Sequence, residues 1–209
     1  MTLKEQLKNI SPILIIVFSA TTALLSGVLL LGTEYDVELD HFTQDPTAIM
    51  DAPFYTGFFS NIGILLWCAS AAICFFTRGI IPKANATGTI RAFLFYSGLV
   101  TSLLMLDDLF LLHESALPDY IGIPEKGVYV IYGNILLLYL FVFRSTILKT
   151  EYLLLALAFA LIGISTVVDL LPMPIPEDSF LEDAVKLFGI VSWFIYFLRG
   201  CYAELRKII

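Results

Sequence analysis

FLFYSGLVTSLLMLDDLFLLHES, residues 93–115, carries no charge from Phe93 to Leu106 and then sets two aspartates, a histidine and a glutamate among leucines and a phenylalanine. A helix needs about 20 mostly apolar residues to cross the hydrocarbon core of a bilayer. This stretch meets that length, read as 92–114, and so do 11–32, 53–76, 128–147, 152–171 and 180–200. The whole chain has 209 residues, 58% of them hydrophobic and 15% charged. Soluble domains run at about 45–50% and 25%. The reading is all-α: one polytopic membrane bundle of six transmembrane helices over residues 1–209. Pro12 to Leu31 is too long for a secretory h-region, so the first span is read as a retained helix.

Composition removes several other classes. Three cysteines do not make a disulfide framework. A net charge of −7 speaks against nucleic acid as a partner, because that interaction depends on clustered Lys and Arg. The basic residues set an orientation. With both termini in the cytoplasm, Lys4, Lys8, Arg78, Lys83, Arg91, Arg144, Lys149, Arg199, Arg206 and Lys207 fall inside, leaving only Lys126 and Lys186 of the 12 on the outer side with most of the acids. Every loop is short, which is where the positive-inside rule applies. The expected location is the cell membrane (the inner membrane in a prokaryote).

Ionisable groups within spans are costly and mark candidate sites. Here they gather at one depth. Asp107, Asp108, His113 and Glu114 end the third span, Ser165, Thr166 and Asp169 end the fifth, and Glu182, Asp183 and Lys186 begin the sixth, with Asn61 and Asn134 near the outer ends of the second and fourth. On a regular helix Asp107 and Glu114 lie within about 20° of each other, Asp108 about 100° to one side and His113 about 120° to the other. Four of these acids close outward helices, where the macrodipole disfavours negative charge. They require a cation, a proton or water. Ser179-x-x-Glu182 fits a capping box, and Lys186 reads as an ion-pair partner of Asp169 or Glu182 or as a catalytic amine. The acidic loop 33–52 begins like a calcium loop at Asp36, Glu38 and Asp40, but His41 and Thr47 stand where the glycine and the closing acid belong, so a solvated loop is expected.

The residue inventory narrows the chemistry. His41 and His113 are the two histidines, so a three-His zinc site is excluded, and the sequence after His113-Glu114 does not complete HExxH. Hard oxygen donors with one imidazole suit a divalent cation: Ca, Mg, Mn or non-haem Fe. The candidate metal ligands are Asp107, Asp108, His113, Glu114, Asp169 and Glu182, with Asp108, His113 and Lys186 as catalytic candidates. The leading reading is a metal-dependent, hydrolase-like membrane enzyme acting on a lipid or amphiphile. Two alternatives stand beside it: an assembly or regulatory subunit whose acidic outer face binds a protein partner, and a cation or proton carrier. The carrier is disfavoured because the inner halves of the spans offer only hydroxyls such as Ser97, Thr101, Ser102 and Ser192.

Overall fold

A computed structural model describes residues 3–82, 88–170 and 178–208, and among these every regular element is helical. Lys83, residues 171–177 and the Ser179 side chain of the expected capping box lie outside the described residues. Six helices are long and apolar enough to cross a membrane. They are α1 (Leu3–Tyr35), α2 (Phe58–Ile80), α3 (Gly88–Phe110), α4 (Glu125–Ile147), α5 (Tyr152–Leu170) and α6 (Asp178–Arg206). This is compatible with a multi-pass membrane protein.

The chain divides into two compact units, Met1–Thr56 and Gly57–Ile209. The first holds α1 and the acidic loop. That loop forms two short helical turns, Asp40–Thr43 and Pro46–Ile49. Asp45 caps the second, accepting from the Thr47 amide at 3.0 Å and the Thr47 hydroxyl at 2.6 Å, which holds its carboxyl below the usual carboxylate range. The loop is folded as two turns of which the second is capped, a local use for one of its acids.

In the second unit two of the helix boundaries that differ from those expected follow from left-handed backbone. Gly57 takes φ +69°, so α2 starts at Phe58 and not at 53. Leu111 takes φ +49° and ends α3 at Phe110. A π-turn, Leu112–Ala116, and a short turn, Leu117–Ile121, then lead to Gly122, whose φ of +78° closes them before α4. Leucine rarely adopts positive φ, a conformation that clusters at functional sites.

Packing runs α5 on α6, α6 on α2, α2 on α3 and, more lightly, α3 on α4. Within the five-helix unit the arc is open between α4 and α5, which have no extended packing along one another. Gly189 allows the tight α5–α6 approach, since an added Cβ would lie 2.7 Å from Ile162 Cγ1 and 3.1 Å from its backbone nitrogen. The core is aromatic: Trp67, Phe93, Tyr139, Phe143, Trp193 and Phe197 are buried, and apart from the stacked Phe93–Tyr139 pair they meet edge to face or tilted. Leu65, Phe76, Leu137, Leu153 and Phe188 are exposed, while Ser70, Ser97 and Thr101 are fully buried. That is the reverse of a water-soluble domain and suits an apolar solvent. Two of these hydroxyls are engaged across helices, Ser97 with Tyr139 at 2.7 Å and Thr101 with Trp193 Nε1 at 3.1 Å.

Candidate functional site

At the end of the five-helix unit where α3 stops and α6 begins, the helices enclose a cavity of about 700 Å³. The volume falls in the range of small-molecule sites. Its deep wall is apolar and aromatic, with Leu104, Leu136, Phe159, Ile162 and Trp193. Its other wall carries Asp107, Asp108, His113, Glu114, Glu125, Asp169, Glu182, Asp183 and Lys186. Residues chosen by depth in the sequence therefore meet at one cavity. All seven candidate residues expected to act there line it, whereas Asn61 and Asn134 do not.

The left-handed turn at Leu111 changes which of them meet. Six residues on a regular helix are about 240° apart, so Asp107 and His113 would face different ways had α3 continued. Instead the π-turn brings His113 back. Its Nδ1 lies 2.6 Å from Asp107 Oδ2, and its amide donates to Oδ1 at 3.0 Å. Tyr132 Oη adds a third donor to Oδ1 at 2.9 Å. Asp107 is buried, and these three donors replace the water it lacks. The His113 ring also lies 5.0 Å from that of Tyr129.

Asp108, one residue on, points elsewhere. It accepts from Lys186 Nζ at 2.8 Å and from Trp67 Nε1 at 2.8 Å, joining α3 to α6 and α2. Lys186 thus pairs with Asp108, a partner the sequence reading did not choose. Asp169 accepts from Tyr129 Oη at 2.7 Å. Tyr129, Tyr132 and Trp67 are the site residues that sequence reasoning missed. Each has a polar tip at the depth of the acids, and Tyr129 and Tyr132 are three apart on one face, which is the signal that could have found them.

The expected metal centre is not supported. Among the described residues, no group of three or more His, Cys, Asp or Glu side chains is disposed to hold a metal ion. The reason is local: Asp107, Asp108 and Asp169 each turn to a separate set of protein donors, and so do not aim at one point.

The hydrogen bond to Asp107 raises the His113 pKa above its ordinary 6.5, against burial and the Lys186 charge, which lower it. A raised folded-state pKa contributes stability in full below about pH 6.5 and loses it as pH rises through the folded value. The melting temperature should accordingly fall above about pH 6.5, and His113→Gln should flatten that fall. A thermal-melt series that keeps the same slope in His113→Gln would remove the pair as its source.

A family described as a domain of unknown function (DUF8692) matches residues 13–199, so the chain belongs to that family. No curated protein and no solved structure matches.

Proposed function

We propose that this member of a family of unknown function is an integral membrane enzyme in which His113, held by Asp107, acts as the acid–base on a lipid-like acyl substrate. The observation that carries the reading is the 2.6 Å contact between His113 Nδ1 and Asp107 Oδ2 on the wall of the cavity. A carboxylate on Nδ1 fixes the tautomer that leaves Nε2 as an acceptor. Nε2 takes a proton from water as the oxygen adds to the acyl carbon, then returns it to the departing group. Tyr132 orients Asp107, and Lys186 sets a positive charge beside the developing oxyanion. Asp108 holds Lys186 in place, a positioning role. Asp107, Asp108 and Asp169 already accept from protein donors, which favours direct acid–base chemistry over a metal-bound water.

Hydrolysis of a medium-chain 4-nitrophenyl ester by the purified chain in micelles tests this. Wild-type turnover that persists in chelator and is lost in His113→Gln supports the reading, and turnover indifferent to His113 ends it.

The cavity is assigned to the outer face, with both termini inside, on the charge distribution alone. Cysteines placed singly in 36–51 or 117–124 of a Cys68→Ala background should react with an impermeant thiol reagent on intact cells, and one at Lys207 should not. The opposite labelling pattern would reverse the orientation.

A further inference from the structure

The unclosed arc has a consequence for what reaches the cavity. The α4 and α5 walls face one another across the cavity through Tyr129, Gly133, Ile162 and Gly163, yet the two helices have no extended packing along one another. An added Cβ at Gly133 or at Gly163 would meet nothing within 4 Å. Both glycines border open space, unlike Gly189, which is needed for close helix contact. Near the polar end, Tyr129 Oη donates to Asp169 across the seam. A seam between two lightly apposed helices, bordered by glycine and latched by one hydrogen bond, has the dimensions and polarity that a narrow hydrocarbon chain entering sideways would need. An aqueous solute would not need it.

The charge balance fixes the other end of the ligand. Seven carboxylates line the cavity against one lysine and one histidine. Even with Lys186 and a protonated His113 the carboxylates outnumber the cations, and Tyr129, Trp67 and Trp193 are among the lining residues. Carboxylates and aromatic faces together select an ammonium head, and repel a phosphate or sulfate.

We propose that the seam between α4 and α5 is a lateral portal through which a single-chain amphiphile with a cationic ammonium head enters from the bilayer, its head among the acids and its chain along Leu136, Phe159 and Ile162. This rests on the reading of the cavity as the substrate site and names the substrate class.

Trp67 and Trp193 are the only two tryptophans of the chain, and both line the cavity. A bromine atom quenches indole fluorescence only near contact. Terminally brominated dodecyltrimethylammonium, titrated into the full chain in nanodiscs of unbrominated zwitterionic lipid, should quench saturably. Brominated dodecyl sulfate of equal length should require at least tenfold higher concentration. Gly133→Leu with Gly163→Leu should weaken ammonium quenching at least tenfold, with an unchanged melt confirming that the seam, and not the fold, was altered. Should that pair fail to fold, Gly163→Leu alone is expected to give the same direction. Equal quenching by both amphiphiles, or quenching that the leucines leave untouched, overturns the proposal. No quenching by either, with nitrophenyl ester hydrolysis intact, overturns the portal and head-group assignment while leaving the His113 chemistry standing. Saturable quenching without hydrolysis of any acyl probe does the reverse.

Discussion

His113→Gln is expected to lower acyl turnover by about 10²–10⁴-fold, the usual contribution of a positioned acid–base, while the protein stays folded. Glutamine can still donate to Asp107, so the buried carboxylate keeps its hydrogen bonds. What is lost is the nitrogen that accepts and returns a proton near neutral pH. Asp107→Asn should fall in the same range by a different route. The amide can still accept from Tyr132, but it no longer stabilises the imidazolium or fixes its tautomer. The two effects should not add, because both remove one unit. The check is turnover of the single and double variants at matched folded fraction. A double variant whose loss is the product of the singles would separate the two residues.

Asp108→Ala is expected to produce the largest loss of stability in the cavity wall. It removes the acceptor of both Lys186 and Trp67 and unties α3 from α6 and α2 at one point. Removing one partner of a buried ion pair costs about 3–5 kcal/mol, and less where the other charge reaches solvent. The Lys186 side chain is 34% exposed against 11% for Asp108, so the lower end of that range applies. Lys186→Met should be worse than the double change Asp108→Leu with Lys186→Met, because the single variant strands a buried carboxylate. Denaturation of the three variants in one detergent orders them, and a double variant less stable than Lys186→Met would show that the pair contributes net stability beyond charge matching.

The spans and the depth of the site were legible because both depend on length and sequence position. Hydrocarbon thickness fixes the first, and a rise of about 1.5 Å per residue converts position to depth. Facing was another matter. It held for Ser165 and Asp169, which lie on one uninterrupted helix and line the cavity together. It failed at His113, because nothing about Leu111 announces a left-handed residue; a glycine there would have done so. The metal reading lacks support for a related reason. Asp107, Asp108 and Asp169 were counted as uncompensated, since the O–H and N–H groups of Tyr132, Trp67 and Tyr129 were left out of the count. Aromatic residues with polar tips at the depth of buried acids are donors first.

With His41 replaced by glutamine, His113 becomes the sole histidine of the chain, and imidazole ¹⁵N resonances over a pH series then read its titration and tautomer directly. The expected result is a midpoint above 6.5, with the neutral form protonated on Nδ1, and a downward shift of the midpoint in Asp107→Asn. A midpoint at or below the ordinary value, or one that Asp107→Asn leaves in place, would contradict the Asp107–His113 pair and the catalysis assigned to it.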